Sequence, residues 1–234
     1  MKTHFILTID DIAIEVQRKK IKNIRLSVLP PDGSVRLSVP VRVTEEYIVR
    51  FLHEKLDWIQ KKRDPFLAHP KSADPEYVSG EALPVFGECY TLRVVYGKGK
   101  PSVIFAGREI LLTVGEDSTV EERAIVIKEW YRSILREKVT LLLPEWEKRT
   151  GLYSDSWQIR SMKTRWGTCN TVTRKIWLNL ELAKKPAECL EYVLLHELAH
   201  LRVPNHGKDF YEVLDCHMPD WKERKNLLNG RRSG

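Results

Sequence analysis

Three side chains set the first question: His196, Glu197 and His200, within "LLHELAHL", form the pattern H-E-x-x-H. On an α-helix, residues four apart share a face, so two imidazoles can meet one cation. The Glu between them projects beside that pair, where it reaches a water on the cation without displacing a histidine. This is the arrangement that activates water with a metal and a carboxylate base. A chain with seven histidines in 234 residues shows the pattern by chance on the order of 1–2% of the time. The plain alternative is a polar helix face with satisfied histidines. The surroundings oppose it, because Leu190, Val193, Leu194, Leu195, Leu198 and Leu201 flank the motif. A Glu buried among them without a partner is costly.

A catalytic zinc takes three protein ligands and keeps a fourth position open. His206 is the leading third ligand, since Pro204 and Asn205 end the helix and turn the chain back. The spacing H-E-x-x-H-x5-H is that of the metzincins, but Val203 stands where their pattern has Gly, so the loop path must differ. The rival third ligands are carboxylates on the following helix: Asp209, Glu212 or Asp215. His217, in "DCHMPDW", is an outside candidate that reads more plainly as a polar residue in a helix–helix turn. His4, His53 and His69 carry no metal spacing. Cys89, Cys169, Cys189 and Cys216 are far apart, which argues against a structural zinc site and reads as small buried thiols in a reducing compartment.

The elements that must position these residues follow from patterning. "FILTIDDIAIEV" and "NIRLSVLPPDGSVRLSVP" alternate as strands, with a hairpin turn at Pro30-Pro31-Asp32-Gly33. Thr44 starts a helix that runs to about Lys62 and stops before Asp64-Pro65. "AHPKSADPEYVSGEALP" is turn-rich, a linker or long loop, and residues 77–115 read as several short strands. Thr119 to Arg149 is the longest helix, with an apolar face that includes Ile125, Ile127, Trp130, Leu135 and Val139, and Pro144 is expected to kink or split it. Strands over 157–163 and 175–181 enclose a turn at Gly167 to Thr171. The motif helix begins near Pro186 and reaches Val203; further helices begin near Lys208 and Pro219. The tail "GRRSG" reads as disordered. There is no visible repeat or low-complexity segment.

Together, "IRSMKTRWGTCN" and "IWLNLELAKKPAECLEYVLLHELAHLRVPNHGKDFYEVL" resemble the YgjP-like metallopeptidase domain family. The shared features are R-x-M-K-x-R-W-G-x-C, a strand ending in L-N, then H-E-L-A-H and a nearby N-H. The resemblance is strong over Trp157 to Leu228 and weaker over the first 150 residues. That family is grouped with zincin-type peptidases and is similar in layout to SprT-like and WLM domains. The resemblance implies zinc on His196, His200 and His206, with Glu197 as catalytic base. The fold expected is α+β: a β-rich N-terminal subdomain with one helix over 1–117, then a zincin-like metal-binding catalytic domain over 118–230, its H-E-x-x-H helix packed on a small antiparallel sheet.

The cations Arg160, Lys163 and Arg165 lie within six residues, about thirty before the metal helix. Beside a zinc centre they would steady an oxyanion or hold a phosphate. Trp166 and Gly167 read as structural, a packing plug over a tight turn. The leading expectation is therefore a zinc-dependent peptidase acting on peptide or protein. The alternatives are a nucleotide phosphoanhydride hydrolase with an Arg/Lys clamp, and a DNA-associated SprT-like protease. The net charge of +7 favours anionic partners, but no nucleic-acid-binding motif is present. No window approaches the roughly 18 apolar residues of a membrane span, and the N-terminus has no signal-like run, so a cytoplasmic protein is expected.

Overall fold

Alternation in the first forty residues builds one face of a sheet. The computed structural model describes residues 3–29, 32–68 and 75–230, and the chain divides into two units, Met1–Asp74 and Pro75–Gly234. In the first, β1 (His4–Ile9) and β2 (Ile12–Lys19) are joined through Asp10 and Asp11, both at positive φ. A two-residue turn of that hand matches strand twist. With β3 (Arg25–Leu29) and β4 (Ser34–Pro40) the order is β1-β2-β4-β3, the central pair parallel. Ile14, Val16, Leu37 and Val39 are fully buried with Ile48, Leu52 and Ile59 of two helices. These are α1 (Glu45–Glu54), capped by the Thr44 hydroxyl, and α2 (Leu56–Ala68). The single helix expected over 44–62 is thus parted at Lys55. It also runs past Asp64 to Ala68. Pro30, Pro31, His69 and residues 231–234 lie outside the described residues.

The second unit opens with the same plan. β5 (Ala82–Val85), β6 (Glu88–Tyr96), β7 (Ser102–Ala106) and β8 (Glu109–Val114) are ordered β5-β6-β8-β7, again with a parallel central pair. A two-residue positive-φ turn, Phe86-Gly87, joins the first two strands, and a Thr-capped helix follows the last, as in the first unit. The repeat is therefore real, although none is visible in the sequence. Turn geometry and alternation recur while the residues differ.

That helix, α3 (Val120–Thr150), has a Thr119/Glu122 capping box, ends on left-handed Gly151 and continues through Pro144 unsplit. Ile125, expected on its apolar face, is exposed, while Ile127, Trp130, Leu135 and Val139 are buried. Next come β9 (Ser156–Arg160), β10 (Gly167–Asn170) and β11 (Lys175–Asn179), ordered β10-β11-β9. The sheet is mixed rather than antiparallel, since β9 runs parallel to β11. Gly167–Asn170, expected as a turn, is one of the two edge strands, and the turn falls at 171–174. A 3-10 helix (Leu180–Lys184), α4 (Ala187–Ala199), α5 (Lys208–His217) and α6 (Trp221–Leu228) complete the unit. α4 stops four residues before the expected Val203, with His200 as its C-cap.

The boundary expected at residue 117 falls inside the second unit. Leu83, Leu92, Ile110 and Leu112 of the β5–β8 sheet share one core with Leu135 of α3 and Leu190 and Leu194 of α4. The Tyr131 hydroxyl donates to the Pro84 carbonyl at 2.8 Å, and the Phe86 N–H donates to the Ala183 carbonyl at 2.8 Å. A Cβ on Gly87 would lie 2.9 Å from Pro186 Cγ and 3.0 Å from its Cα, at the start of α4. The β5–β6 turn thus seats the helix that carries the motif. No helix among the described residues is long and apolar enough to cross a membrane. Of the cysteines only Cys189 is buried; Cys169 is intermediate, and Cys89 and Cys216 are exposed, so the expectation of four buried thiols fails.

Gly87 tests the seating of α4. Gly87→Ala combines a positive φ of 87° with backbone-level crowding. It is expected to cost about 2 kcal/mol or more, read as a lower urea midpoint at unchanged slope.

Candidate metal centre

α4 is apolar almost all round, with Cys189, Leu190, Leu194, Leu195 and Leu198 fully buried. His196 and His200 are left partly open on one side. Past His200 the chain tightens, the Val203 N–H donating to the Ala199 carbonyl at 2.9 Å. This turn returns His206 to the same spot. The three ligand-capable nitrogens lie within 4.8 Å of one another. His196 Nε2 and His206 Nε2 are 3.1 Å apart, and His200 Nδ1 is 3.2 Å from the Val203 carbonyl. An Nδ1–H donated there leaves His200 Nε2 with its lone pair free, as ligation needs. Fully buried Phe210 of α5 lies against all three imidazoles, its ring centroid 4.7 to 4.9 Å from theirs. It is an apolar floor that the sequence reading missed; an aromatic four residues after a candidate ligand is the only signal it gives.

Glu197 is 4% exposed, and its Oε2 has no hydrogen-bond partner among the described residues. Burial pushes its pKa up to about 8, opposed by the charge of Arg165. Burial and the neighbouring His200 and His206 push His196 down to about 3, and burial lowers His200. All three shifts disfavour charge.

Gly167 explains how the carboxylate fits. A Cβ there would meet Glu197 Oε1 at 2.5 Å and Cγ at 2.8 Å. Glycine here serves the close approach of the Glu197 side chain, not a tight turn. Asn179, also unassigned from the sequence, places that glycine. It is 4% exposed, and its Nδ2 donates to the carbonyls of Met162 at 2.9 Å and Arg165 at 2.8 Å. Its own N–H donates to the Trp166 carbonyl at 2.8 Å. The segment from β9 to β10 is thereby pinned to the end of β11.

The other candidates separate. Arg165 lines the pocket of about 560 Å3 around the histidines. Arg160 instead lies 5.2 Å from the Trp177 ring centroid, and Lys163, exposed, is not among the pocket's lining residues. Asp215 accepts from Trp221 Nε1 at 2.7 Å, and Glu212 pairs with Lys208 at 3.6 Å. Asp209, Glu212 and His217 line a different cavity. Trp166 lines the metal-side pocket as a wall, with Lys185 5.5 Å from its ring centroid.

A model of the YgjP-like metallopeptidase domain matches residues 22–231. The chain belongs to the YgjP-like metallopeptidase domain family. Membership makes it a metal-dependent hydrolase domain, one whose family implies a catalytic metal and a peptide or protein substrate. The match extends well beyond 157–228, where the motifs lie, through most of the N-terminal unit. No curated protein matches the chain. Among solved structures it is similar to the metallopeptidase zymogen abylysin of Pyrococcus abyssi, at 21% identity, 41% of this chain, 99% of that one and a TM-score of 0.35. It is similar too to the jannalysin zymogen of Methanocaldococcus jannaschii, at 22% identity, 39% of this chain, 94% of that one and a TM-score of 0.36.

Two substitutions test the cradle of this YgjP-like domain. Gly167→Ala is expected to keep bound metal while peptide turnover falls by about a hundredfold, because a displacement near 1 Å at a reacting group costs that much; unchanged turnover contradicts the close approach. Asn179→Ala leaves the carbonyls of Met162 and Arg165 and the N–H groups of Met162 and Glu181 without their side-chain partner, and a loss of about 1–3 kcal/mol is expected by chemical denaturation.

Proposed function

We propose that this chain is a zinc-dependent peptidase in which His196, His200 and His206 hold the ion and Glu197 is the general base. The observation that carries the reading is Glu197 Oε2, buried and unpartnered beside three convergent imidazoles. A buried carboxylate without a partner is otherwise expensive, and a cation with its water provides one. The donor set fits: imidazole nitrogens suit zinc, and three of them leave a position open. A zinc ion bound there would act as a Lewis acid on a peptide carbonyl and bring the pKa of a water towards 7.

The chain's own residues do the rest. Glu197 receives the water's proton and passes it to the departing amide nitrogen. Its burial keeps the proton from bulk water between those events. The Val203 carbonyl holds His200 in the tautomer that frees Nε2, and the Phe210 ring limits how far each imidazole turns. Gly167 keeps the carboxylate at its station.

The phosphohydrolase reading needs Arg160, Lys163 and Arg165 together at the metal. Of these three only Arg165 lines the pocket, so that clamp is not assembled at the histidines. The DNA-associated reading has no structural feature in its favour among the described residues.

Glu197→Gln is expected to retain one zinc per chain by elemental analysis and to lose peptide cleavage by about 10²–10⁴-fold. His200→Ala is expected to lose both. Full turnover in Glu197→Gln would remove the carboxylate from the mechanism.

A further inference from the structure

The metal-side pocket contains two charged groups that the mechanism does not use. Besides Glu197, the permanently charged side chains lining it are Arg165, just ahead of β10, and Lys225 on α6. No Asp and no second Glu lines it among the described residues. Both cations are exposed, and neither has an acidic partner among the described residues. Arg224, one residue from Lys225, is held by Glu191 at 2.9 Å and Asp220 at 2.8 Å, whereas Lys225 has no acidic partner among the described residues and lies 5.7 Å from the Trp221 ring centroid. Arg165 bears on Glu197, while Lys225 bears on His196. Trp166, Val193 and Leu228 supply apolar wall in the same pocket.

We propose that Arg165 and Lys225 form a cationic subsite that selects peptides carrying a carboxylate close to the scissile bond. The proposal rests on the peptidase reading and adds its substrate class. Two uncompensated cations beside a divalent ion accumulate like charge, and a substrate anion relieves it. Because both groups are exposed, they meet a carboxylate without a large desolvation cost. Apolar wall in the same pocket accommodates the uncharged part of the peptide. The carboxylate has two sources, an acidic side chain or the free end of the chain, and the recognition chemistry is shared.

The test uses the full chain as Glu197→Gln, loaded with zinc, and fluorescent peptides in matched pairs: Asp against Asn at the centre, free acid against amide at the end. Anisotropy gives each Kd. The acidic member of at least one pair is expected to bind about threefold tighter or better, with a gap that shrinks as salt rises. The pair that shows the gap identifies the source. Lys225→Glu and Arg165→Gln are expected to close or reverse it. Lys222→Glu, on the same helix and outside the pocket lining, is expected to leave it in place. No gap in either pair overturns the proposal, as does a gap that survives both pocket variants or that Lys222→Glu abolishes equally. Wild-type cleavage of the neutral peptides is measured in parallel. Cleavage without a gap overturns the subsite alone, whereas neither binding nor cleavage of any peptide overturns the peptidase reading with it.

Discussion

One steric allowance governs the site: the Glu197 carboxyl occupies the space that a side chain at residue 167 would fill. Packing at interior density leaves no slack there, so a buried acid and a missing Cβ are two halves of one contact. Everything around it holds those halves in register. Asn179 fastens the backbone of residues 162–166 to β11, which places Gly167. The buried apolar face of α4 places Glu197. The small mixed sheet is therefore the second wall of the site, and the sequence separation between "RWG" and "HELAH" vanishes in the fold.

The rotation of α4 matters as much as its position, since the same helix must bury Glu197 while offering His196 and His200 to an opening. Leucines on several faces alone do not choose a rotation. The choice comes from contacts at the ends. Pro186 rests on the Phe86-Gly87 turn, Arg224 of α6 ties Glu191, and Phe210 lies against the three imidazoles. The β5–β8 sheet thus belongs to the catalytic unit, and a division at residue 117 would cut the helix from its seat.

Much of the candidate site was legible because it is local. H-E-x-x-H within one helix, then a turn at Pro204-Asn205 before His206, is a short-range pattern whose geometry is set by helix pitch. The strands were legible where alternation is clean, as in "IAIEV" and "KIWLN". What stayed hidden is long-range. Gly167 looks the same in sequence whether it serves a turn or a close approach, and only the partner element tells the two apart. Asn179 stands in the L-N that ends the strand, but that pattern gives no role, because its partners are backbone atoms fourteen and seventeen residues away. Lys225 sits in an ordinary charged helix and reaches the pocket through the packing of α6 on α4. The doubled sheet plan escaped notice for a related reason: strand order is a property of pairing, and two different sets of alternating residues satisfy it.

Electrostatics binds these parts together. Burial, the same cause throughout, raises the pKa of Glu197 to about 8 and lowers that of His196 to about 3. Each shift favours the uncharged form, because a charge in a low-dielectric site loses its hydration. For the imidazoles that form is the one with a lone pair to give. For Glu197 it is the protonated acid, which is not yet a base. A cation at the three nitrogens would oppose only the second preference: opposite charge nearby stabilises a carboxylate, while ligation would use the neutral imidazoles as they stand. On the proposed reading, a single burial therefore prepares the ligands in advance and leaves the base to be switched on by the charge of the ion it serves.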